Sequence, residues 1–145
     1  EILELFAGRN LVQVTIRDPY ALATHDARQA QIQFIRDLHM VAASLEGALV
    51  EYAPEVEGDL EEPICRREFG SAYATIFAGS APKLVLARRR KRSFDDDFHD
   101  RFIEIDVRHA GGAIKRHELT IGRGTEALYN PRRQCTVTYA PPGAL

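Results

Sequence analysis

The chain has 145 residues and a mass of 16.3 kDa, is 45% hydrophobic and 28% charged, and carries a formal net charge of −2. These figures suit one compact domain and exclude a disordered tail, a collagen-like rod and a disulfide-knotted mini-protein. No apolar run approaches the 18–20 residues of a membrane-spanning helix and no signal-peptide pattern opens the chain, so a cytoplasmic protein is expected, with peripheral membrane attachment as a further option. The first residue is Glu1 rather than Met, as expected for one domain, residues 1–145, taken from a longer multidomain protein.

In chain order, Leu11–Arg17 is β-branched and bounded by Asn10 and Asp18-Pro19, and it predicts a strand. Asp18-Pro19-Tyr20 ends that strand in a turn, because Pro19 has no amide hydrogen to give to a ladder. From about Leu22 to Glu46, apolar residues recur at three- and four-residue steps and predict a helix, with Gly47 placed for its C-cap. Leu49–Tyr52 predicts a second strand, and Ala53–Gly58 a loop. About Glu61–Ala78 predicts a second helix, with Pro63 in its first turn and Gly79 beyond its end. Lys83–Ala87 predicts a strand. Phe102–Val107 alternates and predicts another, joined through the turn signal Ala110-Gly111-Gly112 to a partner at Ile114–Ile121. Gly122-Arg123-Gly124 predicts a tight loop and Cys135–Tyr139 a last strand. The order β-α-β-α followed by strands predicts an α/β fold with a mixed sheet flanked by helices.

Charge divides unevenly along the chain. Residues 1–82 hold six Lys/Arg and 13 Asp/Glu, a net of −7, whereas residues 83–145 hold 13 Lys/Arg and eight Asp/Glu, a net of +5. The second half contains the run Arg88-Arg89-Arg90-Lys91-Arg92, followed by Lys115-Arg116, Arg123 and Arg132-Arg133. This asymmetry predicts a surface that meets phosphates, although Asp95-Asp96-Asp97 stands beside the basic run. The two cysteines, Cys65 and Cys135, have no zinc spacing and demand no disulfide, which fits a reducing compartment. His25, His39, His109 and His117 show no metal-ligand spacing, and no metal or other cofactor is implied.

The segment from Phe98 to Asp106 is richest in chemistry. His99, Arg101 and Asp106 follow the spacing His-x-Arg-x4-Asp. On a strand His99 and Arg101 project to one side, the pairing that a histidine nucleophile and a phosphate-neutralising cation require. Asp106 is out of phase with them and needs a bulge or loop to join. Gly122-Arg123-Gly124 offers backbone N–H groups and a cation to a phosphate, or a turn requiring positive φ. The alternative for Arg101 is structural: an ion pair with Asp100 that holds the strand against the glycine loop.

The His-x-Arg-x4-Asp spacing resembles the His-x-Lys-x4-Asp motif of the phospholipase D superfamily, with Arg101 in the place of lysine. A resemblance spanning nearly the whole chain is carried by three motifs in order: the Asp18-Pro19-Tyr20 turn, His99-Asp100-Arg101, and Ile121-Gly122-Arg123-Gly124. Together they are similar to the phospholipase-D-like C-terminal domain of MIT-domain proteins. That resemblance implies a phospholipase-D-like fold, often homodimeric, whose enzymatic site has decayed. In eukaryotic members it implies binding to acidic phosphoinositide membranes, and in bacteria a module of multidomain conflict or defence proteins.

The resulting expectation is a non-catalytic binding or recruitment module. It would recognise an anionic, phosphate-bearing ligand, either acidic lipid headgroups or a nucleic-acid backbone, through Arg101, Gly122, Arg123, Gly124 and the run Arg88–Arg92. The alternative is a metal-independent phosphodiesterase or nuclease assembled across a homodimer, with His99 as nucleophile. A protein partner docking on the acidic residues Glu55, Glu57, Asp59, Glu61 and Glu62 is a third reading, and other domains of the parent protein are expected partners.

Overall fold

The computed structural model describes residues 2–94, 101–122 and 137–143. Among them, six strands form one mixed sheet: β1 (Asn10–Arg17), β2 (Ser44–Tyr52), β3 (Lys83–Arg88), β4 (Arg101–Arg108), β5 (Ile114–Ile121) and β6 (Val137–Ala140). Their order across the sheet is β3-β2-β1-β4-β5-β6. β1, β2 and β3 run parallel, and β4, β5 and β6 add antiparallel on the other side of β1. The parallel strands are joined through α1 (His25–Val41) and α2 (Glu62–Phe77). Both crossovers step the same way along the sheet, so right-handed connections place both helices on one face.

That face holds the core. Val14 and Ile16 of β1 align with Ala48 and Val50 of β2 and with Ile105 and Ile103 of β4, all buried. Against them pack Ile32, Phe34, Ile35 and Leu38 of α1. α2 contributes a narrower stripe, Cys65, Phe69, Tyr73 and Phe77, at regular four-residue steps. Such i, i+4 spacing puts all four side chains on one helix face. The Tyr73 hydroxyl donates to the Pro82 carbonyl at 2.7 Å, tying the end of α2 to the start of β3. Burial pushes that phenol up to about 12.

Both predicted helices are present, but α1 is shorter than its apolar pattern. It begins after Thr24, whose Oγ1 accepts from the Ala27 amide at 3.1 Å, and it ends at Val41. The Ala43 amide then donates to the Arg9 carbonyl at 2.8 Å, which draws the chain alongside the start of β1. Ser44–Gly47 therefore lengthens β2, and Gly47 is not a helix cap: it pairs with Gln13 and Lys83. Leu45, which continued the helical pattern, is buried from the strand instead. At the end of α2, Ala78 is the left-handed cap residue (φ 45°) and Gly79 follows at φ 104°. β4 and β5 match their predicted spans to within a residue, and Gly111 and Gly112 turn between them at positive φ. A 3-10 helix at Ile2–Phe6, with Phe6 fully buried, has no counterpart in the sequence reading.

The loop between β2 and α2 is docked onto the start of α1. The Asp59 carboxylate accepts from the His25 amide at 2.8 Å and from the buried Arg28 guanidinium at 2.8 and 3.1 Å. The bond from Arg28 holds the Asp59 carboxyl below the usual carboxylate range. Gly58 lies so close to α1's leading turn that a Cβ there would fall 2.7 Å from the Ala23 carbonyl oxygen.

Candidate functional site

One edge of the sheet gathers the functional candidates. β1, β2 and β3 all end there, β4 starts there, and Ile121 at the end of β5 pairs with Arg101. Open sheets bind ligands outside the carboxyl ends of their parallel strands, because loops converge there and backbone groups are released from the ladder.

The Asp18-Pro19-Tyr20 turn and Arg101 meet at this edge. Asp18 Oδ1 accepts from the Tyr20 amide at 2.8 Å, which fixes the turn, and pairs with Arg101 Nε at 2.7 Å. The Arg101 guanidinium lies 4.9 Å from the centre of the Tyr20 ring, and Lys91 Nζ lies 5.8 Å from the same ring. Cations attracted to a ring face in this way are held without losing their charge. Tyr20 itself is 38% exposed, while Asp18 and Arg101 are buried. The sequence reading offered Asp100 as the structural partner of Arg101; Asp18 is a partner, and Asp100 lies outside the described residues. Gly122 continues β5 from the position beside Arg101.

Asp106 does not join Arg101. β4 alternates, so Arg101, Ile103, Ile105 and Val107 face the helices, and Phe102, Glu104 and Asp106 face the other way. Asp106 binds Arg116 at 2.9 Å and raises the pKa of that guanidinium. No bulge lies between Arg101 and Asp106 in the β4–β5 register to bring them into phase. His99, Arg123 and Gly124 fall outside the described residues, as do Asp95–Asp97, Arg132, Arg133 and Cys135.

On the face opposite α1 and α2, Asp106 belongs to a row of alternating charges that the sequence reading missed. Arg89 pairs with Glu51 at 2.9 Å, Glu51 with Arg17 at 3.0 Å, Arg17 with Glu104, and Glu104 with Arg116 at 2.6 Å. Glu51 and Glu104 are buried beneath these arginines, at 4% and 6% exposure.

The basic run follows β3 at the same edge, and Arg88 to Arg92 are all exposed. The Arg89 amide donates to the Tyr52 carbonyl at 2.8 Å, which holds the start of the run to the end of β2. Arg88 pairs with Glu62 at 2.8 Å. Among the described residues, Arg90, Lys91 and Arg92 form no ion pair. The charge division along the sequence is therefore not a division in space. Asp18–Arg101, Glu51–Arg89, Glu62–Arg88 and Glu46–Arg108 each join an acid of the first half to a base of the second. Ion pairing also occupies part of the acidic segment expected as a protein-docking surface, since Asp59 serves Arg28 and Glu62 serves Arg88.

His117, which showed no metal-ligand spacing in the sequence, is a buried residue of β5 at 6% exposure. Its Nδ1 lies 2.7 Å from the Tyr139 hydroxyl, Phe6 meets its ring edge-on, and His109 stacks beyond it at 6.2 Å. Its Nε2 is buried without a hydrogen-bond partner. Burial lowers its pKa, and the nearby charges of Arg9 and His109 lower it further. A histidine whose pKa is depressed by folding contributes stability that is present above the unfolded value of about 6.5 and lost as pH falls through the folded value. Urea unfolding midpoints are thus expected to fall between pH 7 and pH 5, and His117→Leu should flatten that decline. An unchanged pH profile in the variant would assign the decline to other groups.

Among the described residues, no three His, Cys, Asp or Glu side chains gather as a metal centre requires, and no helix is long and apolar enough to cross a membrane. No protein-family model matches this chain, and no curated protein matches it.

Proposed function

We propose that this chain is a non-catalytic, phospholipase-D-like binding module that recognises phosphate-bearing anions at the edge where its parallel strands end. The observation that carries the reading is the assembly of Arg101, Lys91 and the exposed Arg90 and Arg92 around that edge, with Gly122 beside Arg101. The order of the Asp18-Pro19-Tyr20, His99-Asp100-Arg101 and Ile121–Gly124 motifs supports a likeness to the C-terminal domain of MIT-domain proteins. On that reading the module works as a homodimer and recruits a larger membrane-remodelling or bacterial conflict protein to acidic lipid or to nucleic acid.

The test is binding at low salt to acidic vesicles and to duplex DNA. Wild-type protein is expected to bind at least one of them, with affinity falling steeply as salt rises. The Arg90→Glu/Lys91→Glu/Arg92→Glu variant should lose at least tenfold. Failure of the wild type to bind either probe would overturn the reading.

The second reading, a metal-independent phosphodiesterase using His99, would need Arg101 as its phosphate clamp, but Arg101 is buried against Asp18 and Asp106 is engaged on the opposite face. Turnover of a chromogenic phosphodiester in EDTA, abolished in His99→Ala, would establish it in place of the first.

A further inference from the structure

We infer that the anion this edge accepts is the phosphodiester backbone of a nucleic acid rather than a lipid surface, and that the loop between β2 and α2 acts as the selecting element. The inference rests on the anion-binding reading above and narrows it. The end of β2, the loop and the first residue of α2 touch the basic run at three positions. Glu62 pairs with Arg88 at 2.8 Å. Its carboxylate is preset, because Oε2 also accepts from the Tyr52 hydroxyl at 2.6 Å, and that hydroxyl accepts from Arg66 at 2.7 Å. Glu51 pairs with Arg89 at 2.9 Å from a buried position that it shares with Arg17. Glu55 accepts the backbone N–H of Lys91 at 3.0 Å.

Two of the five cations are thereby neutralised, and among the described residues Arg90, Lys91 and Arg92 remain outside any ion pair. Polybasic segments that hold a protein to an acidic membrane use clusters of about four to eight cations. A flat bilayer brought against the three that remain would also approach the exposed acids Glu55, Glu57 and Glu61 of the same loop. Glu55 lies against Lys91, near enough to repel a planar anionic surface within the screening length of about 8 Å at physiological salt. A nucleic-acid strand is narrow. It can follow three successive cations without covering the loop, and each phosphate contact adds its own counterion release.

The experiment compares a random-sequence duplex DNA with vesicles containing anionic lipid, at equal phosphate concentration and across a salt series. Wild type is expected to bind the DNA at least tenfold more tightly than the vesicles. Glu62→Gln frees Arg88, so it should tighten DNA binding severalfold and steepen the slope of log K against log salt by about 0.9. Glu57→Gln makes the same charge change at an exposed position with no contact to the run, and should leave the slope unchanged. Tighter binding to vesicles than to DNA, or equal slopes for the two variants, would overturn the inference and leave the anion-binding reading standing. Absence of binding to both probes would overturn both. Should Glu62→Gln impair folding, Glu55→Gln, which removes the acid standing against Lys91, should strengthen vesicle binding severalfold and narrow the preference for DNA; an unchanged preference would overturn the inference.

Discussion

Replacing Arg101 with methionine is expected to lower the unfolding free energy by about 3 kcal/mol. Both members of the Asp18–Arg101 pair are withdrawn from solvent, with side chains only 6% and 10% exposed. Methionine keeps much of the stem's volume but leaves the Asp18 carboxylate without its guanidinium in a buried turn. The Tyr20 amide still donates to that carboxylate, so the turn is weakened rather than emptied of partners. The Tyr20 ring also loses the nearer of its two cations. Asp18→Asn in the same chain removes the stranded charge, and the double variant should recover at least 1 kcal/mol relative to additivity. Denaturant titrations of the four proteins measure the coupling. A loss below about 0.5 kcal/mol in Arg101→Met would show that Arg101 is present for ligand alone. The control matters for function as well, because lost anion binding in an Arg101 variant means little unless the turn still stands.

Phe69→Ala is expected to cost about 4 kcal/mol, near the upper range for truncating a buried aromatic. α2 meets the core through only four buried side chains, and Phe69 is the fully buried one, stacked on Tyr73. α1 buries eight residues and tolerates a single loss better. The damage should be local. Among the described strands, β3 is at the edge of the sheet, and α2 reaches it through Tyr73 to the Pro82 carbonyl and through Arg66 to the Leu86 carbonyl. Loosening α2 should therefore raise amide exchange in Lys83–Arg88 before that in β1 or β4, and with it disturb the placement of the basic run. Uniform loss of protection across the sheet would show instead that α2 and the central strands open as one unit.

The elements were legible in the sequence where one physical signal dominated. Alternation located β4 and β5, and Pro63 and Gly79 bracketed α2, because proline fixes φ near its helical value and glycine admits the positive φ at which the helix ends. Gly47 was misread because Ala42 and Leu45 prolong the helical spacing of α1, while the pairing that draws Ser44–Gly47 into β2 comes from strands distant in sequence. In the candidate site, the turn at Asp18 and the cation at Arg101 were each visible, but not their meeting across 83 residues of chain. The sign of the charge in each half was likewise visible, and its cancellation across the fold was not. Glu51 and Glu104 gave no sequence signal of burial, since a carboxylate on an alternating strand reads as solvent-facing until the arginines above it are placed.

The alternating charges on the face opposite α1 and α2 also bear on strand alignment. Sliding β4 by two residues against its neighbours would keep every apolar side chain on its proper side, so burial alone distinguishes the two alignments poorly. Glu104, however, is gripped from β1 by Arg17 and from β5 by Arg116. A two-residue slip of either neighbour would carry its arginine about 6.7 Å along the strand and break that grip. The row of ion pairs thus works as a vernier: it adds a fine scale to the coarse two-residue period of the hydrophobic pattern, and it locks the central strand to the one setting at which Arg101 arrives opposite Asp18.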